Sequence, residues 1–214
     1  MAGRLRMVRR SFEDELEEAV DFLSRGRQAI DRATGRPVFT QKQVSILAET
    51  SFLCGCVAWE RFLELSLAHY VLGERAPSGY RPKRIIKMRA TLPRMRKVFA
   101  GDKNYVGWIE SGVVRKRAGV WLKDGGPYGP ALTSGGTLLT YLRKLRNVVA
   151  HDSESAFGEF EDATRQYYGS VPSNFSAGGQ LLAVSAPSFG GTGGELLSDA
   201  FAAYRLLAQQ IVPV

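Results

Sequence analysis

The sequence predicts a mainly α-helical protein, a bundle of about five helices with glycine-rich loop insertions. Two observations carry this. Apolar residues recur every three or four positions over several long stretches, and one stretch, Gln41 to Leu72, runs without a proline and with a single glycine, Gly55. Clusters of Gly, Pro and Ser then separate the periodic stretches from one another. The chain has 214 residues, of which 44% are hydrophobic and 23% charged. Those values suit one globular domain over residues 1–214 with a core of its own.

The elements follow in order. Ser11 before Phe12-Glu13-Asp14 has the form of a helix N-cap with acid in the first turn. Phe12, Leu16, Ala19 and Leu23 then mark one face of a helix ending near Ile30, and Thr34-Gly35-Arg36-Pro37 reads as a turn. Gln41–Leu72 is apolar nearly all round, as befits a central helix or one at an oligomer interface, with Gly73 as its cap. Arg81 to Phe99 has helical spacing divided by Pro93. Residues 101–136 are glycine-rich and weakly patterned, with Trp108-Ile109 and Val120-Trp121-Leu122 as short buried segments or strands. Thr137 caps a helix running to Ala150, with Leu138, Leu142, Leu145 and Val149 on its apolar stripe. Phe157 to Tyr168 forms a shorter helix. Residues 169–194 form a Gly-rich surface loop or a small hairpin containing a strand at Leu181–Val184, and Glu195 to Ile211 closes the chain as a helix.

Composition excludes several classes. No run of 18 apolar residues exists, so no membrane-spanning helix is expected. The basic start of the chain leads into an acidic stretch, Glu13 to Asp21, unlike the apolar core of a secretory signal. Cys54 and Cys56 are the two cysteines; a disulfide between them would be strained, and they cannot make a Cys-rich zinc site. A reduced, cytoplasmic chain without metal or other cofactor is the expectation. The net charge of +8 is unevenly spread: residues 81–123 hold 13 Lys and Arg against 2 Asp and Glu, a local +11. Such a segment points to a polyanion partner such as RNA, or else to a solvated basic face. Arg84, Lys87 and Arg94 are its candidate phosphate contacts, with Arg143 and Lys144 farther along the chain.

Two histidines narrow the search for chemistry. His151 ends the helix Thr137–Ala150 in the run Arg146-Asn147-Val148-Val149-Ala150-His151. Asn147 and His151 are i,i+4 and share a face, whereas Arg146 and His151 lie about 140° apart on an ideal helix. An arginine side chain can span that angle. Imidazole suits proton transfer, and guanidinium suits a phosphate or a pentacovalent phosphorane, with Asn147 placed to orient either. The plainer alternative is a histidine that interacts with a helix C-terminus beside a surface cation. His69 reads as a satisfied core or interface histidine, Glu60 and Glu64 as an acid pair without a histidine cluster to make a metal site, and Gly190-Gly191-Thr192-Gly193-Gly194 as a phosphate-loop mimic lacking the Lys-Ser/Thr that should follow.

The hexad Arg146-Asn147-x-x-x-His151 resembles the signature of the HEPN superfamily, all-α domains with an Arg, a polar residue after it and a His four to six residues after the Arg. The segment Val57 to Glu64 looks like that family's second core helix, and by helix order the resemblance covers roughly residues 12–165. It implies a metal-independent endoribonuclease with Arg146, Asn147 and His151 as catalytic residues. It also implies a homodimer whose two Arg/His sets meet across the interface. A role as toxin or effector in bacterial defence follows, with an antitoxin or defence-system protein as partner. One toxin subgroup carries a tyrosine two residues after the histidine; Ser153 stands there in this chain, which departs from that mode of regulation. A non-catalytic HEPN-like RNA-binding or assembly module is the rival expectation, and a helical adaptor unrelated to RNA the third.

Overall fold

A computed structural model describes residues 3–101, 107–151 and 153–214; residues 102–106 of the basic segment lie outside the described residues. The expectation of a mainly α-helical protein holds. Among the described residues there are nine α-helices rather than about five: α1 (Gly3–Gln28), α2 (Gln41–Leu72), α3 (Leu92–Ala100), α4 (Ser111–Trp121), α5 (Tyr128–Ser134), α6 (Gly136–His151), α7 (Glu154–Tyr168), α8 (Ala177–Leu182) and α9 (Leu196–Ile211). No strand forms among them, only isolated β-bridges. The chain divides into two compact units. One holds Met1–Glu13, Ala58–Leu139 and Tyr204–Val214, the other Asp14–Val57 and Thr140–Ala203.

Several boundaries differ from the sequence reading. α1 begins eight residues before Ser11, because Leu5 extends the buried stripe of Phe12 and Leu16 and Arg9 pairs with Glu13 one turn on. Ser11 is therefore an interior helical residue, not a cap. Thr137 likewise lies inside the first turn of α6, since α5 and α6 meet at Gly135. Residues 81–91 are not helical. Ile85 N donates to Trp121 O and Lys123 N to Lys83 O, which pins Lys83–Ile85 against the end of α4, and the chain bends at Ile85 and Ile86. Pro93 sits in the first turn of α3, where its missing N–H costs no helical bond. Val120 and Trp121 end a helix instead of forming a strand, and Trp108-Ile109 is a turn.

The stretch 169–194 is not simply a surface loop. It contains α8, capped by Ser176, which buries Gln180 and Leu181, so Leu181 and Leu182 are helical rather than extended. A single antiparallel bridge, Val184 to Glu195, stands where a hairpin was expected.

In the first unit, Trp59 of α2 is 1% exposed. It stacks on Tyr204 at 5.0 Å and on Phe62 at 5.6 Å, with Phe12 at 5.7 Å. Tyr128 donates to or accepts from Ser66 at 2.8 Å, and Tyr70 Oη donates to Ile211 O at 2.7 Å. In the second unit, Tyr141 gathers Phe160, Tyr168 and Phe189 around it. Replacing the Trp59 ring with a methyl group leaves a cavity among three aromatic rings. Trp59→Ala is expected to lose about 3–5 kcal/mol of stability, read as a lowered midpoint in urea unfolding.

Candidate functional site

α6 is amphipathic, and its buried side fixes its other side. Leu142 and Leu145 are fully buried, and the Tyr141 hydroxyl meets Thr164 Oγ1 of α7 at 2.9 Å while Thr164 donates to Phe160 O. Lys144 Nζ reaches Glu159 O at 3.4 Å, a second tie to α7. Ser153 starts α7 as its N-cap, its hydroxyl accepting from Ala156 N at 3.2 Å. The sequence reading saw in Ser153 only the absence of a tyrosine. Its position at the start of a periodic stretch was the available signal for a cap.

These constraints leave Arg146 and Asn147 half-buried and His151 exposed at the last residue of α6. Arg146 Nη1 lies 3.3 Å from His151 Nε2. The arginine side chain spans the angle that separates the two positions on the helix. Guanidinium has no acceptor, so it donates and Nε2 accepts. A neutral imidazole in this contact carries its proton on Nδ1. The arrangement thus joins a proton acceptor to a bidentate anion donor at a solvent-facing helix end, with Asn147 one turn before the histidine.

The other predicted contacts are distributed. Arg143 is half-buried in the second unit with Arg146 and His151. Arg84, Lys87 and Arg94 belong to the first unit. Lys87 and Arg94 are exposed, but Arg84 is half-buried and donates to Val71 O at 3.2 Å, which satisfies a carbonyl in the last turn of α2. Trp108 is buried against Phe99, with Arg117 over its ring at 5.5 Å, a packing role.

The weaker candidates resolve into structure. His69 is 5% exposed and its Nδ1 meets Glu74 Oε1 at 3.2 Å, as expected of a satisfied histidine. Glu64 takes both Nε and Nη2 of Arg96, at 2.9 and 3.0 Å. Among the described residues, no group of three or more His, Cys, Asp or Glu is placed to hold a metal ion. Thr192 N and Oγ1 both donate to Asp199 Oδ1, so a carboxylate already occupies the amide that a phosphate would need in the glycine-rich loop.

No family model, curated protein or solved structure matches the chain. The resemblance to HEPN domains therefore rests on the hexad and the helix order.

With two histidines in the chain, imidazole nitrogen NMR can follow each separately. Neutral His151 is expected as the Nδ1–H tautomer, and Arg146→Ala should move it toward Nε2–H. A wild-type ring already in the Nε2–H form would mean that Arg146 does not hold it in solution.

Proposed function

We propose that the chain is a metal-independent, HEPN-like endoribonuclease acting in the cytoplasm, a toxin or effector of bacterial defence. The observation that supports this best is the Arg146–His151 contact at 3.3 Å on the exposed end of α6. In the reaction, His151 Nε2, freed from Arg146, takes the proton of an RNA 2′-hydroxyl. The O2′ then bonds to the adjacent phosphorus, and Arg146 neutralises the charge that builds on the phosphorane oxygens. The P–O5′ bond breaks, and the leaving O5′ takes its proton from the His151 of a second subunit. The products are a 2′,3′-cyclic phosphate and a 5′-hydroxyl. Asn147 orients the pair or the phosphate, and Arg143, Lys144, Lys87 and Arg94 supply phosphate contacts, while Arg84 holds the end of α2. Each chain offers one such histidine, so the reading requires a homodimer with the two sets in one site. A cognate antitoxin or other defence protein would restrain the activity.

One observation favours a second reading. The imidazole is already engaged by Arg146, as it would be if the pair only finished a helix. The chain would then be a non-catalytic RNA-binding or assembly module. The expectation from the apolar surface of α2 also weakens as support for a dimer, since Ala48, Phe52, Phe62, Leu63 and Leu67 are buried within the chain.

Three measurements separate the readings. His151→Ala should lower RNA cleavage by about 10²–10⁴-fold while EDTA leaves it unchanged. Mixing Arg146→Ala and His151→Ala chains should restore part of the activity if the site is composite. Full activity in His151→Ala, or strict dependence on Mg²⁺, assigns the chain to another class. RNA affinity should in addition fall steeply with salt, and charge reversal at Lys87 and Arg94 should weaken it for all sequences alike. Salt-insensitive binding would return the basic segment to a solvated face.

A further inference from the structure

Two exposed surfaces of this chain are unusual for the same reason and complementary in charge. The first is in the second unit. Phe22 of α1 is 47% exposed and, with Phe39 and Leu47, lines a cavity of about 500 Å³ whose edge carries Glu18, Asp21 and Arg25, Arg25 Nη2 donating to Asp21 Oδ2 at 3.4 Å. α1 and α2 approach closely beside it, since a Cβ on Gly26 would run into Leu47 Cδ1. The exposed side of α1 here is net acidic: Asp14, Glu17, Glu18 and Asp21 face solvent with one cation, Arg25, in a chain whose net charge is +8. The second surface is the non-helical stretch 81–91 of the first unit, which bends at Ile85 and Ile86. Ile85 and Ile86 are adjacent and 57% and 44% exposed, and Lys83, Lys87 and Arg89 around them are exposed too.

A polyanion such as RNA accounts for the cations of this stretch but not for two solvent-exposed isoleucines. An apolar floor with an acidic edge accounts for both. We propose that the acidic groove of Glu18, Asp21, Phe22, Phe39 and Leu47 receives the basic Ile85-Ile86 stretch of a second copy of this chain. The isoleucines would fill the cavity, and Lys87 and Arg89 would face Glu18 and Asp21. The pairing is between different patches, so it forms either reciprocally between two chains or in succession along several. It stands independently of the ribonuclease reading, although RNA and the groove would compete for Lys87.

A charge-exchange experiment tests it on the full chain, without RNA, by sedimentation. One variant carries Glu18→Lys and Asp21→Lys, the other Lys87→Glu and Arg89→Glu. All four residues are exposed, so both variants should fold. Each alone should self-associate at least about tenfold more weakly than wild type, because like charges then face one another. An equimolar mixture should recover association, since each variant's groove now matches the other's stretch. Ile85→Ser with Ile86→Ser should weaken it without changing any charge. A wild-type chain that is monomeric throughout would overturn the proposal and leave the groove to a different basic protein. Association that all the variants retain would also overturn it, while remaining compatible with a dimer built around His151.

Discussion

The structure depends on burying one long helix that is apolar on most of its circumference. Ile46, Thr50, Cys54, Val57 and Arg61 leave α2 one narrow exposed stripe, and its neighbours must cover the other faces. That demand falls on aromatic residues: Trp59 and Phe62 lie against Phe12 and Tyr204, and Tyr70 against Tyr128. The few polar residues it takes inside need partners. Ser66 has Leu63 O and the Tyr128 hydroxyl, and His69 has Glu74. The end of the helix is met by Gly73 at φ 93° and by the Arg84 guanidinium on Val71 O. A residue expected to touch phosphate is thus already at work on a carbonyl.

The same accounting changes what the basic segment can offer a polyanion. Arg96 is held by Glu64, Arg117 lies over Trp108, and Arg115 donates to Thr133. A local charge of +11 read along the sequence therefore overstates the free cationic surface. Arg81, Lys83, Lys87, Arg89, Arg94, Lys97, Lys116 and Lys123 remain exposed, spread over the non-helical stretch 81–91, α3, α4 and the turn after it instead of along one helix face.

Long periodic elements were legible. The limits of α2 and the course of α6 and α9 follow from apolar spacing and from a glycine at a helix end. The short helices were not. α4 buries only Val114 and Ala118 among basic residues and glycines, too narrow a stripe to stand out. α8 has six residues, two of them glycine. It is pinned by a bond from Gly178 N to Glu49 Oε1, whose partner lies 129 residues away. Residues 81–91 misled for the converse reason: their spacing fits a helix, but bonds of Lys83 and Ile85 to the end of α4 hold them out of one. At the candidate site, the three motif residues could be named from sequence, but a five-residue separation does not reveal a contact that depends on the reach of a guanidinium.

That contact has a consequence of its own. An imidazole nitrogen has one lone pair, and on His151 it points at Arg146. While the two remain joined, no hydroxyl can surrender a proton there, however close it comes. A phosphodiester is the sort of anion that draws a guanidinium away, by offering it two oxygens in place of one nitrogen. In a reaction run by this pair, the arriving backbone would arm the base that attacks it. The resting protein would stay inert toward hydroxyls that bring no phosphate with them.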